Sequence, residues 1–256
     1  MDSWDRVKAR IAAYMKEKKL RPAFSYKDVW HEEHAVGFTV AKATQLNVLA
    51  DIHHAVNKAL EEGQSFDEFK KGLMPLLEQK GWTGSRDMLD PLTGKVVRAE
   101  LGTPRRLKTI YHVNMRSAYQ KGQWDRTQAS DAHPYLMYQI GPSVKHREDH
   151  ASWDNLILPK NDPWWDSHFP PNGWGCKCRT VAVTEARKQR YEERGVPAPA
   201  RRDGKGGYIR SNAPVKTRPP PERFTTYVNK RKGTTERVPA GVDPAFNWHQ
   251  GKAPRG

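Results

Sequence analysis

The sequence predicts an α+β protein in three parts. Apolar residues fall at helical spacing through most of residues 1–84. Residues 85–185 combine one further helix with short β-prone runs and a loop stretch rich in Trp, Pro, His and Cys. Residues 186–256 carry 17 Lys/Arg against 6 Asp/Glu with few apolar anchors, and so supply +11 of the chain's net +15. The expected architecture is a mostly helical N-terminal part, a small mixed α/β, loop-rich module, and an extended basic C-terminal arm.

Each element follows from its residues. Trp4, Val7, Ile11 and Tyr14 make one helical stripe that Pro22 ends. A second helix is expected from Val36 to Leu60, with Phe38, Ala41, Leu46, Leu49, Ile52, Val56 and Leu60 mostly on one face and Gly63 as its stop. Ser65 caps a third, with Glu68 as its capping-box partner, and Pro75 should bend or shorten it. Gly84, Pro91, Gly94 and Gly102 mark residues 83–103 as a loop or short hairpin. Thr103-Pro104 opens a helix as N-cap and first residue, and this helix runs past Gly122 to Trp124. Pro134 to Ile140 is apolar and aromatic, which predicts a strand, and Cys178 to Val183 predicts another. A charged helix follows from Thr184 to about Glu193. Beyond it the chain buries too little apolar surface to offset its ordering entropy, so it should order only on a partner.

Composition narrows the function classes. Apolar residues make up 36% of the 256, which fits a compact body plus extended chain rather than one large core. No run approaches the roughly 18 apolar residues of a membrane span. Met1 to Leu20 lacks the apolar core of a signal peptide, so the chain is expected to stay in a reducing cytoplasm. Two cysteines exclude a disulfide framework. A charge of +15 favours polyanions, nucleic acid first. The candidate DNA-binding cations are Lys177, Arg179, Arg187, Lys188, Arg201, Arg202, Lys205, Arg210, Lys230, Arg231 and Lys232.

The chemistry-bearing stretch runs from His146 to Arg179. His146 and His150 share a face if their segment is helical, and Cys176 and Cys178 share one if theirs is a strand. Residues i and i+2 of a strand stand roughly 6.6 Å apart, near the upper limit for a disulfide. Two His and two Cys can instead hold one structural zinc, although a single residue between the cysteines is tighter than the usual spacing. His168 is a spare ligand. The alternative is a pair of small buried thiols near unrelated histidines. His146-X-Glu148 with two later cysteines fails the zinc-deaminase pattern, because the cysteines are one apart and Gly175 stands in the place of Pro. His31-Glu32-Glu33-His34 lacks the zincin spacing, and Gly204-Lys205-Gly206-Gly207 lacks that of a P-loop. Trp164, Trp165 and Trp174, with Pro163, Pro170, Pro171 and an Asn172-Gly173 turn, should fix a loop either as a satellite core or as a docking surface.

At these residues the chain resembles the phage Mu F-like head-morphogenesis family. The motifs are His146-Arg147-Glu148-Asp149-His150, then Asn161-Asp162-Pro163-Trp164-Trp165, then Pro170 through Cys178. Glu33 to Ala43, Gly81-Trp82-Thr83-Gly84, the Asn114 to Gly122 segment and Gly241 to Phe246 resemble further family signatures, so the likeness covers nearly the whole chain. A second Trp often stands in the family where this chain has Thr83. The resemblance implies a minor capsid protein, associated with the portal and early head assembly and linked to DNA binding or delivery. Together with the pattern along the chain, this gives a helical region at 1–84, a Mu F-like module at 85–185 and a basic arm at 186–256.

Two rival readings remain at this level. One is a metal-dependent enzyme acting on nucleic acid or a peptide bond, with His146, His150, Cys176 and Cys178 as ligands and Glu148 or Asp149 as base. Four protein ligands would leave it no open position. The other is a basic scaffold that recognises only protein.

Overall fold

A computed structural model describes residues 3–31, 33–143, 145–198, 201–202, 208–209 and 211–252. It is an α+β fold, as the sequence predicts. Among the described residues no helix is long and apolar enough to cross a membrane.

The N-terminal part is a helical layer. Helix α1 (Ser3–Lys16) buries Ile11 and Met15. A two-residue parallel pair, β1 (Lys19–Leu20) with β2 (Gly37–Phe38), ties the next segment back beneath it, and the short helix α2 (Glu33–Val36) immediately precedes β2. Helix α3 (Leu46–Glu62) ends at Gly63, which takes the left-handed conformation at φ 70°. Helix α4 (Phe66–Gln79) opens with the Ser65–Glu68 capping box, both halves of which are made. Pro75 lies inside α4 without ending it.

One expectation fails here. Residues 37–45 are extended and looped, not helical. The β-branched Val36, Thr39 and Val40 favour extended backbone. At Gly37 any Cβ would stand 2.8 Å from the Glu33 carbonyl oxygen and 3.0 Å from the Arg21 side chain. That close approach is what lets the β1–β2 pair form, and α3 starts only at Leu46.

Helix α5 (Pro104–Gln128) is the spine of the molecule. Thr103 caps it, Pro104 occupies its first turn, and it runs one turn past the expected Trp124. Its first half packs Leu107, Ile110, Met115 and Ala118 against Leu49, Ile52 and Val56 of α3 and Phe69, Leu73 and Leu77 of α4. Its second half inserts Trp124 into a separate, aromatic core. Between α4 and α5, strands β3 (Ser85–Leu89) and β4 (Val96–Glu100) form the expected hairpin.

The second core is built on a three-stranded antiparallel sheet. Strand β5 (Tyr135–Gln139) lies between β6 (Ile157–Pro159) and β7 (Arg179–Val183). Side chains alternate across it as a strand requires. Leu136 and Tyr138 face Trp153, Trp164, Trp165 and Phe169, while Met137 faces Ile157, Val183 and Tyr191. Short helices α6 (Glu148–Trp153) and α7 (Trp165–His168) carry much of the aromatic set, and α8 (Glu185–Arg194), capped by Thr184, covers the opposite face. Trp164 and Trp165 are therefore core residues, whereas Trp174 is 40% exposed.

The C-terminal segment departs most from expectation. Residues 211–252 are not an extended arm but fold back over the body. After three two-residue pieces, β8 (Val196–Pro197), β9 (Arg201–Arg202) and β10 (Tyr208–Ile209), strand β11 (Asn212–Ala213) pairs with β8. Lys216 then bonds the backbone of Asn155 and Ile157 beside the sheet. Strands β12 (Phe224–Asn229) and β13 (Thr234–Pro239) form a hairpin of six residue pairs whose Val238 is fully buried. Val242, Ala245 and Phe246 follow it into the core. These apolar groups are few, but their partners lie on surfaces built by distant residues: the indole of Trp30 donates to Glu236 at 2.7 Å and stacks on Tyr227. Local composition underestimates burial of this kind.

Candidate functional site

The most concentrated chemistry sits where α6, the loop before β7 and the returning C-terminal segment meet. His150 lies on α6, Cys176 and Cys178 on the loop entering β7, and all three are buried. The sulfurs approach Nδ1 of His150 at 3.8 Å for Cys176 and 3.4 Å for Cys178. Both cysteines are free thiols. Among the described residues this is the one group of three or more His, Cys, Asp or Glu side chains whose ligand atoms converge.

Three features fix this arrangement. First, Nε2 of His150 lies 2.8 Å from the Gly241 carbonyl oxygen. A carbonyl only accepts, so Nε2 carries a proton and the ring is turned with Nδ1 toward the sulfurs. Second, the backbone of Asn172 and of Gly141 favours the thiolate form at Cys176 and Cys178 respectively. Third, Gly141 and Gly241 allow contacts no other residue could make. A Cβ on Gly141 would overlap the Lys177 carbonyl, and one on Gly241, at φ 86°, would reach 2.5 Å from Asp149. The thiol of Cys178 points at Cys176 and, with His150 and the Asn172 backbone, draws the Cys176 pKa down to about 4 against the effect of burial. The same contact to Cys176, reinforced by burial, pushes Cys178 up.

His146 is not in the cluster. It lies on the wall of the adjoining cleft, which has a volume of about 450 Å³ and is also lined by His150, Cys176 and Cys178. The reason is local: α6 begins only at Glu148, with Arg147 as its N-cap, so the four-residue spacing does not put His146 and His150 on one face. His168, the spare candidate, stacks on Trp164 and bonds the Trp164 carbonyl, away from the sulfurs. The tight turn expected at Asn172-Gly173 falls two residues later, at Trp174-Gly175, where the Cys176 amide bonds the Gly173 carbonyl.

The candidate DNA cations scatter. Lys177, Arg179, Arg187 and Lys230 are exposed. Lys188 pairs with Glu192 one turn along α8. Arg231 forks between Asp28 and Asp90, and Lys232 reaches Glu33. Arg231 thus serves to clamp the β12–β13 turn to the body, because its charge is neutralised inside the chain. Arg201 and Arg202 lie in β9, where only the backbone is described, and Lys205 and Arg210 fall outside the described residues.

The structure adds a basic stripe that composition alone missed. Lys108, His112 and Arg116 recur every fourth residue along α5, and Lys177 joins them from the loop before β7. Burial first, then Arg116, Lys108 and Lys177, holds the His112 pKa below its usual value. Arg116 also donates to the Cys176 carbonyl at 3.1 Å, tying the stripe to the His/Cys cluster. The four-residue spacing was the available signal.

His150, Cys176 and Cys178 fall within the segment that places the chain among known proteins. The chain belongs to the Phage Mu protein F like family, whose pattern matches residues 50–181, from α3 to β7. It is 38% identical over 176 residues to protein F of Escherichia phage Mu, which is named for capsid assembly; the match covers 68% of this chain and 40% of that protein. It is 36% identical over 161 residues to the Mu-like prophage FluMu F protein of Haemophilus influenzae, covering 61% of this chain and 38% of the relative. The chain thus spans about two fifths of the length of these relatives. No solved structure matches it significantly.

Proposed function

We propose that the chain acts in the assembly of a Mu-like phage head, as a component that binds rather than turns over substrate. It works in the host cytoplasm during assembly and stays with the virion. Its partners are neighbouring head proteins, the portal among them, and DNA held without sequence preference. The observation that carries this reading is the match of the spine helix, sheet and His/Cys loop to the F family, one member of which is named for capsid assembly.

The charge distribution supports the DNA part. Lys108 and Arg116 on the spine helix and Lys177 on the loop before β7 form a cationic strip, and Lys230 and Arg179 are exposed elsewhere. Such groups neutralise phosphates and read no bases. Truncation of the C-terminal segment is a poor test, because Val238, Val242 and Phe246 belong to the core. Charge reversal is the cleaner one. Lys108→Glu with Lys177→Glu should weaken duplex binding and reduce the log–log salt slope by up to about 2, at roughly 0.9 per phosphate. Unchanged affinity at low salt would remove the strip from the interface. The assembly role is tested by nuclease-treated purification of portal-containing particles: the chain should remain with them, and its absence from every particle fraction would overturn the reading.

A further inference from the structure

We propose that Nδ1 of His150 and the sulfurs of Cys176 and Cys178 bind one zinc ion, completed by His146 from the cleft wall, and that this ion pins the returning C-terminal segment to the sheet module.

The distances suit a metal. A tetrahedral zinc with Zn–S near 2.3 Å and Zn–N near 2.05 Å sets sulfur and nitrogen about 3.6 Å apart. The two observed separations are 3.4 and 3.8 Å, one on either side of that value. Hydrogen bonding alone accounts for the cluster less well. Nε2 is committed to Gly241 and Nδ1 has a single bonding direction in the ring plane, yet two sulfurs converge on it. A metal ion takes one lone pair from each of the three atoms and removes the competition.

The surroundings are those of a ligand set. The Gly241 carbonyl holds the imidazole by its far nitrogen, the outer contact that orients metal-bound histidines. Two soft sulfurs with imidazole select zinc over the oxygen-preferring cations. The site is buried yet has an entry path, the cleft on whose wall His146 stands. Movement of His146 onto the ion closes the fourth position, which makes the site structural rather than catalytic. Because the His150 imidazole joins the metal on one side to Gly241 on the other, loading the site should secure the chain between β13 and Phe246.

The test uses the full chain without a histidine tag, purified without chelators. Elemental analysis should find about one zinc per chain. Cobalt replacing zinc should give the visible bands of a tetrahedral site and a near-ultraviolet thiolate-to-cobalt band. His146→Ala should still bind zinc but at least about tenfold more weakly against a competing chelator. Cys176→Ser with Cys178→Ser should bind none; should that variant misfold, the wild-type cobalt spectrum carries the test. Folded wild-type protein that takes up neither zinc nor cobalt when they are offered overturns the site, and a His146→Ala affinity equal to wild type overturns the fourth ligand.

Discussion

The two halves of the molecule are held together differently. In the helical half, aliphatic side chains of α3, α4 and α5 interlock at helical spacing, and each helix brings its own stop or cap. In the sheet half, short elements are joined by stacked aromatic rings and by partners far away in the chain. His150 meets Gly241, and Trp30 meets Glu236, across 91 and 206 residues. The lesson is that the first half can be assembled from local pieces, whereas the second is complete only when the C-terminal segment has returned.

Acid should separate the halves most strongly. Burial holds His168 and His249, inside the aromatic core, and His34, beside Trp248, at a pKa of about 4. Unfolded histidine titrates near 6.5, so between these values the unfolded chain binds more protons. The stabilisation from neutral histidine is therefore intact above about pH 6.5 and lost as pH falls toward 4. Near-ultraviolet circular dichroism should lose tryptophan signal across that window before far-ultraviolet helix signal is lost. Simultaneous loss of both would deny the difference.

Trp165→Ala comes next. The fully buried indole donates to the Pro159 carbonyl, and its removal should cost about 3–5 kcal/mol in denaturant unfolding. Gly241→Ala should cost about 1–3 kcal/mol, because alanine resists φ 86° and its methyl group would press on Asp149 and Trp153. A null effect there would mean the C-terminal return is not seated on α6. The smallest effect belongs to the helical half: Ser65→Ala removes the α4 cap and should cost about 1 kcal/mol, leaving the aromatic half untouched.

The same contrast governs what could be read in advance. Gly63, Ser65 with Glu68, Thr103 with Pro104, and Thr184 mark helix ends by local chemistry, and the structure keeps each of them. Strand β5 is visible in the sequence because Tyr135 to Tyr138 is uniformly apolar or aromatic. His150, Cys176 and Cys178 were legible as one group from residue type and spacing. His146 stands on the cleft wall rather than beside His150, because the start of α6 is set by where the preceding loop ends, not by the four-residue interval. Residues 37–45 were misread because their apolar residues suit helix and strand alike until the Gly37 contact decides. The return of residues 211–252 was hidden because its few apolar side chains gain their burial from Trp30, Trp153 and the sheet. Arg231 shows the same limit: on paper it is a free cation, in the fold it closes a turn against Asp28 and Asp90.

Hydrogen exchange of backbone amides in the native chain tests the central claim most directly. If the C-terminal segment completes the aromatic half, the hairpin amides of β12 and β13 and the Val242 amide should be protected on the timescale of β5. Exchange of those amides at the rate of an unstructured peptide, with β5 still protected, would contradict the account.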